Sequence, residues 1–460
     1  MPVVLVIDRF LPMPTTTLPH QVMPLQQALQ QKIAAKTAQI AIVGLGYVGL
    51  PLAQAFGQAG FRVTGYDTQA HKVATLNQGQ STVQDVPDAV MAQLVASQHF
   101  VATTNANRLA TADVLILCVP TPLTRNRTPD MGYIESAVAA VTEHLTPGQL
   151  IVLESTTYPG STDELVLPKL QTSGLTVGES FFLAYSPERV DPGNPTFGVH
   201  NTPKIVGGTT PACLDLASAL YQHVVQTVVP VSSTRAAELV KVFENTFRAV
   251  NIGLVNELAL VCDKLNLNVW EVVDAAATKP FGMMRFTPGP GIGGHCIPVD
   301  PFYLTWKVRE LGFQTRFIEL AGEMNNLMPH FVREKLMRAL GESFRSLNGS
   351  SVLVLGVAYK PDVADWRESP AQFVLDILAQ DGVLLTIHDP YIDTFEDHSG
   401  RIYHNAPLTE QAVQDADAVL ILTHHHALDY DWLVDHAQVV VDTRNATAGV
   451  VAHRDKIRLL

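Results

Sequence analysis

The sequence predicts an α/β protein with two doubly wound domains of parallel strands. A long central helix and a helical region suited to dimerisation join them. Three observations carry this expectation. Short apolar runs alternate with helix-length segments over the first 230 residues, a weaker copy of that order follows residue 350, and one uninterrupted amphipathic stretch lies between them.

The first unit opens with AQIAIVGLGYVGLPLAQAFGQAG, which reads as a strand, a glycine turn and a helix closing at Gly60. FRVTGYD is a second strand ending on Asp67, and ADVLILCVP is a later buried strand. In the second unit SVLVLGVAYKP parallels QIAIVGLGYVG, VLLTIHDPY parallels FRVTGYDTQ, and DADAVLILTHH parallels TADVLILCVPT. Three matching strand signals in one order indicate two Rossmann-like halves. The second lacks the second and third glycines and is expected to bind something other than a dinucleotide.

Between the halves, STRAAELVKVFENTFRAVNIGLVNELALVCDKL sets Leu239, Phe243, Phe247, Val250, Leu254, Leu258, Val261 and Leu265 at spacings of three and four. This is a single helix about 45 Å long, whose apolar stripe suits a dimer interface. Lys241, Asn245 and Arg248 share the opposite face. The expected boundaries are an N-terminal extension (1–37) outside the fold, with a helix in PLQQALQQKIAAK, a dinucleotide-binding domain (38–230), a central helical domain (231–345) and a second Rossmann-like domain (346–460).

Composition limits the function. The chain has 460 residues, 47% apolar and 16% charged, more than one ordinary core accommodates. Its 44 acidic and 31 basic residues give a net charge of −13, which argues against nucleic-acid or membrane-surface partners but leaves room for a small anionic ligand. Four scattered cysteines, Cys118, Cys213, Cys262 and Cys296, show no CxxC spacing. No disulfide framework, zinc site or other metal is expected, and a reducing cytoplasm fits. The first residues lack the marks of a signal peptide, and no apolar run nears the roughly 18 residues of a membrane span.

GLGYVG supplies Gly44, Gly46 and Gly49 between a strand and a helix. The first glycine permits a tight turn, the second admits a pyrophosphate and the third lets helix and strand pack closely. Asp67 ends the next strand at the distance where a carboxylate accepts a ribose 2′-hydroxyl and repels a 2′-phosphate, favouring NAD. CVPTP places Pro120 and Thr121 at the ligand edge of the sheet, with Cys118 as core filler. ESTTYPG offers Thr156 and YSPERVDPG offers Glu188 and Arg189, each of which alone is equally a surface turn.

FTPGPGIGGHCIPVDP surrounds Cys296 with glycine and proline, which brings backbone amides close to a bound group. Asp300 follows at four residues. A thiol beside such amides can be held as thiolate, yet a lone cysteine is also a common inert core residue, and spacing does not decide between the two. In LTHHHALDY, His424 and His426 have no further ligand at a diagnostic spacing, and the stretch reads as a solvated loop.

In order, GLGYVGLP, CVPTP, ESTTYPG, YSPERVDPG, ELVKVFENTFR, GPGIGGHCIPVDP and YKPDVADWRESP resemble the nucleotide-sugar 6-dehydrogenases, the UDP-glucose and UDP-N-acetylhexosamine dehydrogenases, from about residue 38 onward. The resemblance implies oxidation of a sugar C6 alcohol to a carboxylate by two NAD+ in a homodimer or larger homo-oligomer serving polysaccharide synthesis. It implies Cys296 as the nucleophile, Lys241 and Asn245 as oxyanion stabilisers, and Asp300 as base or holder of the hydrolytic water. Thr156 and Glu188 would complete the water and proton network.

By the same resemblance Gly44, Gly46, Tyr47, Val48, Gly49, Asp67, Lys72, Pro120, Thr121, Thr156 and Arg367 would face the cofactor. Glu188, Arg189, Val190, Lys241, Asn245, Arg248, Phe286, Gly289, Gly291, Gly293, Gly294, Tyr359 and Lys360 would face the UDP-sugar. One departure points to a subtype. UDP-glucose dehydrogenases carry a second glutamate four residues after the first, where this chain has Pro192, and CIPVDPFYL with Pro298 resembles the N-acetylglucosamine branch more than the mannosamine one. UDP-glucose, UDP-N-acetylmannosamine and UDP-N-acetylgalactosamine are the alternative substrates. A two-electron 3-hydroxy-acid dehydrogenase and a non-catalytic NAD- or UDP-sugar-binding regulator are the competing functions.

Overall fold

Eight strands form the first sheet: β1 (Gln39–Val43), β2 (Arg62–Tyr66), β3 (Phe100–Thr103), β4 (Val114–Leu117), β5 (Leu150–Leu153), β6 (Phe182–Tyr185), β7 (Lys204–Gly208) and β8 (Val228–Val231). Their spatial order is β3-β2-β1-β4-β5-β6-β7-β8, parallel except where β6 meets β7. The computed structural model describes residues 24–83, 85–124, 128–190, 194, 196–294 and 297–460. Strands β4 (VLIL), β5 (LIVL) and β6 (FLAY) are buried throughout, as expected of a sheet covered on both faces. The strand order reverses between β1 and β4, so the crevice at their carboxyl ends is the ligand position of such sheets.

The second sheet contains β9 (Ser351–Leu355), β10 (Leu384–His388), β13 (Ala418–Ile421), β14 (Val440–Asp442) and β15 (Ile457–Leu459). They pair in parallel in the order β10-β9-β13-β14-β15. A small hairpin of β11 (Thr394–Glu396) and β12 (Ile402–His404) stands beside it. The internal repeat is visible in backbone detail. Gly44 after β1 (φ 93°) and Gly356 after β9 (φ 76°) both take the left-handed conformation. A Cβ on Gly44 would lie 2.7 Å from the Cys118 carbonyl oxygen after β4, and one on Gly356 2.5 Å from that of Thr423 after β13. Both loops need a glycine there to pass the neighbouring strand.

The central helix, Thr234–Leu265, begins where Ser233 accepts the Ala236 amide and ends at Asn266 in the left-handed conformation (φ 55°). It runs beside a second long helix, Arg316–Glu342. Its polarity is inverted relative to an ordinary surface helix. Glu238, Lys241, Asn245 and Asn256 are buried, whereas Phe243 (61%), Leu254 (64%) and Leu265 (62%) are exposed.

Two expectations are corrected. The extension does not lie wholly outside the fold: helix Pro24–Ala34 buries Leu29 and Ile33, four residues apart, in the same apolar cluster as Leu216 and Leu220 of helix Pro211–Tyr221. Lys32 Nζ adds a 2.5 Å contact to Asp113, whose other oxygen accepts the Gln39 amide at 2.8 Å. The three-histidine stretch is not a uniformly solvated loop. His426 is exposed, but His425 is fully buried, with Nε2 3.1 Å from Asp389.

Ile33→Ala tests the docking of the first helix. Loss of a fully buried isoleucine should lower stability by about 2–4 kcal/mol, read as a shift in the denaturant midpoint at constant slope. No change would mean that the helix is dispensable to the domain.

Candidate active site

The crevice between β1 and β4 is built to receive a ligand. At Gly46 a Cβ would meet nothing within 4 Å, so the loop is open on that side. At Gly49, the first residue of helix Gly49–Gln58, a Cβ would collide with the Gly44 carbonyl. This is the division of labour expected of a dinucleotide loop, one glycine for the ligand and one for packing. Asp67 accepts the amides of Leu45 and Gln69, each at 3.0 Å, and Lys72 Nζ at 2.8 Å. Burial pushes its carboxyl up, but the Lys72 ammonium and the two amides outweigh burial and hold it below the usual range.

Tyr47 is exposed and Val48 half-buried on the same loop, with exposed Pro120 and half-buried Thr121 opposite. From the far domain the Arg367 guanidinium reaches Tyr47, with Nη2 3.2 Å from its hydroxyl and the guanidinium 5.7 Å from the ring centroid. The second domain thus bears directly on the first domain's ligand loop.

Deeper in, the central helix presents Lys241 and Asn245 to Asp300, the first residue of helix Asp300–Arg309. Asn245 Nδ2 donates to Asp300 Oδ2 at 2.5 Å, and all three side chains are buried. Burial raises Asp300 from 3.8 to about 6, against the pull of the Lys241 charge and the Asn245 bond. A carboxylate with that pKa is a base close to neutrality. Tyr303, one turn along its helix, donates to the Thr121 carbonyl at 2.6 Å and so ties this cluster to the crevice edge.

Glu188 sits in the loop after β6. Its Oε1 accepts the amides of Arg189 (2.7 Å) and Val190 (2.6 Å), and Lys204 Nζ stands 3.6 Å from Oε2. Burial raises its carboxyl, but Lys204, both amides and Lys241 reverse the effect and leave it lowered. Arg189 turns from the centre and grips Glu244 of the central helix through Nε (3.2 Å) and Nη2 (2.6 Å). Thr156 is half-buried in the loop after β5. Farther along that loop, buried Glu238 accepts the Gly160 amide (2.5 Å), Ser161 Oγ (2.9 Å), the Thr162 amide (2.8 Å) and Thr162 Oγ1 (2.6 Å).

The glycine loop lies between the central helix and the second domain. The Gly289 amide donates to Asn256 Oδ1 at 3.0 Å, Asn256 Nδ2 to Asn325 Oδ1 at 2.8 Å, and Asn325 Nδ2 to the Ala249 carbonyl at 3.2 Å. Gly291 (φ 135°) and Gly294 (φ 97°) have conformations that favour glycine. A Cβ on Gly293 would press on Pro370 at 2.9 Å and on Tyr359 at 3.2 Å. Lys360 is half-buried next in sequence. Phe286 stacks edge-on against Phe247, with centroids 5.9 Å apart. Arg248 is exposed, not buried with Lys241 and Asn245. Cys296 and Pro192 lie outside the described residues.

Several residues here escaped sequence reasoning. Glu154, Lys204, Tyr221, Glu238, Asn256, Asn325 and Arg444 are charged or polar groups that the fold buries or half-buries near the site. The available signals were Lys204 heading the apolar KIVGG and Glu154 ending LIVLE. Arg444 packs over Gly289, where a Cβ would strike its guanidinium, and its Nε donates to the Leu422 carbonyl at 3.0 Å. Burial lowers it to about 10, so it remains a cation at neutral pH.

The three parts of one family match in order: the NAD binding domain of the UDP-glucose/GDP-mannose dehydrogenase family at residues 38–225, its central domain at 235–327 and its UDP binding domain at 353–449. The chain belongs to the UDP-glucose/GDP-mannose dehydrogenase family. It is 36% identical to a UDP-N-acetyl-D-glucosamine 6-dehydrogenase of Pseudomonas aeruginosa over 359 residues, 78% of this chain and 84% of that protein. It is 34% identical to a UDP-N-acetyl-D-mannosamine dehydrogenase of Pyrococcus horikoshii over 388 residues, 84% of this chain and 89% of that protein. A solved structure of a UDP-D-ManNAc dehydrogenase from Pyrococcus horikoshii superimposes with a TM-score of 0.82 at 32% identity, covering 92% of this chain and 98% of that one.

As a family member the chain is an NAD-dependent oxidoreductase, and the open loop at Gly46 fits that cofactor. Among the described residues no helix is long and apolar enough to cross a membrane.

The titration of Asp300 gives a signed expectation. Its folded value lies above the unfolded one, so ionised Asp300 costs stability above about pH 6 and the cost disappears as pH falls below 3.8. Asp300→Asn should therefore melt higher than the parent at pH 8 and lose that advantage near pH 4, while losing activity. An acid limb with a midpoint near pH 6 should govern the parent's rate. Destabilisation of Asp300→Asn at pH 8 would contradict the assignment.

Proposed function

We propose that this enzyme oxidises the C6 hydroxymethyl of a UDP-N-acetylhexosamine, UDP-N-acetylglucosamine foremost, to the uronate through covalent intermediates on Cys296. The observation that carries the reading is the buried Lys241–Asn245–Asp300 cluster between an NAD-binding and a UDP-binding domain. Bound NAD+ accepts the hydride in each of two oxidation steps.

Asp300, a base near neutrality, takes the C6 hydroxyl proton as the alcohol becomes an aldehyde. The Cys296 thiolate bonds to the aldehyde carbon, and Lys241 and Asn245 stabilise the resulting oxyanion. After the second oxidation the sugar is held as a thioester. Water oxygen then bonds to that carbon, and the C–S electron pair returns to Cys296 sulfur. The water's protons leave through Asp300 and solvent, with Glu188, held ionised, orienting the water. The buried surroundings exclude bulk water, which strengthens each of these charge interactions.

Arg444 and the Gly289–Gly294 loop support a diphosphate position: a cation and the bare backbone of Gly289 face each other there. The outward stripe of the central helix, with exposed Phe317 and Leu320 on its neighbour, supports assembly of two copies. The choice of an N-acetylated sugar rests on Pro298 and on the named relatives.

A panel of UDP-glucose, UDP-N-acetylglucosamine, UDP-N-acetylgalactosamine and UDP-N-acetylmannosamine, assayed for NADH, tests the reaction. Two NADH per sugar nucleotide, highest for UDP-N-acetylglucosamine, is expected. One would indicate a simple alcohol dehydrogenase, and none a binding protein. Cys296→Ser should bind NAD yet complete no turnover, so full carboxylate production would sink the nucleophile assignment. Assembly is checked separately: Phe243→Asp with Leu254→Asp should convert a dimeric or larger mass to the monomer in light scattering.

A further inference from the structure

Behind Glu188 lies a charged network that the reaction above does not use. Lys204, the first residue of β7, is buried, with its ammonium 2.6 Å from Glu154 Oε2 and 3.6 Å from Glu188 Oε2. Glu154, directly after β5, is buried too, and its other oxygen accepts the hydroxyl of fully buried Tyr221. Desolvation offsets much of the attraction within a buried ion pair, so such a pair is a poor device for stability alone. Here the cation is shared between a carboxylate sealed in the core and one, Glu188, whose side chain remains 15% exposed.

We propose that Lys204 is a positioning residue: braced from behind by Glu154 and Tyr221, its ammonium fixes the Glu188 carboxylate in the orientation that hydrolysis of the thioester requires. The inference rests on the role given to Glu188 above. Groups facing Glu188 come from four elements: Lys204 on β7, Glu154 after β5, the Cys118 thiol after β4 and Lys241 on the central helix. Arg189 is turned away to Glu244. Lys241 serves the oxyanion in both oxidation and hydrolysis, which leaves Lys204, shared with Glu154, as the cation that holds Glu188. Removing it should therefore slow the last step and spare the first two.

The experiment is a rapid-mixing measurement of NADH on the full-length enzyme with the UDP-sugar that yields two NADH in the panel. Three variants are compared: Glu154→Gln, the double Lys204→Met/Glu154→Gln, and Glu188→Gln. The double variant removes both members of the buried pair, avoiding an unpaired charge. It should release two NADH per subunit in the first turnover at the parental rate, then cycle at least about tenfold more slowly, part of what a positioned proton-handling group supplies. Acyl-enzyme should accumulate in intact-mass spectra. Glu154→Gln keeps the cation and, through its amide oxygen, an acceptor that braces it from behind, and should cycle close to the parental rate without accumulation.

Equal slowing of Glu154→Gln and the double variant would overturn the inference, because a merely structural network is damaged by either change. Parental cycling by the double variant would do the same. Glu188→Gln separates the two readings: if it cycles like the parent, Glu188 has no part in hydrolysis and both fall, whereas if it stalls and the double variant does not, only Lys204 loses its role. Should the double variant not fold, Lys204→Gln/Glu154→Gln is a second charge-free pair that can still bond Tyr221, read by the same assay.

Discussion

The structure depends on the burial of a charged helix face. Lys241, Asn245 and Glu238 point into the protein from the central helix, and Asp300 meets the first two from a neighbouring helix. Each charge moved out of water costs several kcal/mol unless paired or hydrogen-bonded. The surroundings supply partners: Glu238 accepts four bonds from one loop, and Asp300 accepts Asn245. Asp300 is only partly compensated and ends near neutrality, while Glu188, with two amides and a lysine, goes the other way. Two carboxylates separated in this manner can divide acid–base work within one site.

The same helix ties the domains together. Asn256 holds Gly289, Asn325 crosses from the second long helix to both Asn256 and the Ala249 carbonyl, and the glycine loop leans on Pro370 and Tyr359 of the second domain. A loop rich in glycine loses much conformational freedom on folding. Amide ladders anchored on two long helices offset that loss better than surface contacts would, because their bonds are shielded from water. Arg367 on Tyr47 closes the circuit from the second domain to the cofactor crevice.

How much of this was legible in the sequence follows from the range of each signal. Gly44, Gly49 and the strands beside them obey local rules, and the fold class and the glycine loop were readable from them. The central helix was readable as a helix with Lys241 and Asn245 on one face, but Arg248, read as sharing that face, is exposed. Its apolar stripe was read as a surface for a second copy and not as core, and Phe243 and Leu254 are exposed there. Lys204, Glu154 and Arg444 stood in apolar or turn-like contexts, with partners 50 or more residues away for the first two. Only the sheet order, placing β7 two strands from β5, brings that pair together. Helix Pro24–Ala34 was missed as part of the fold because two apolar residues give a weak period, and its partner lies nearly 180 residues on.

The repeat shows what a binding loop must give up to become structural. Asp67 and Asp389 end equivalent strands, and each accepts amides of the loop after the first strand of its sheet: Leu45 in one case, Val357 (2.7 Å) and Ala358 (3.1 Å) in the other. Ala358 stands where the first loop has Gly46, and its Cβ is buried instead of leaving an opening. His425 completes the closure. Its Nδ1 accepts the Asp362 amide at 3.0 Å, so the proton sits on Nε2 and is donated to Asp389. In the first domain the matching carboxylate, also buried, is met by the half-buried Lys72 instead of an imidazole. One methyl group and one imidazole thus distinguish the closed second loop from the first, which is open at Gly46. At the seam between the second domain and the central helix, by contrast, Arg444 and the glycine loop face each other.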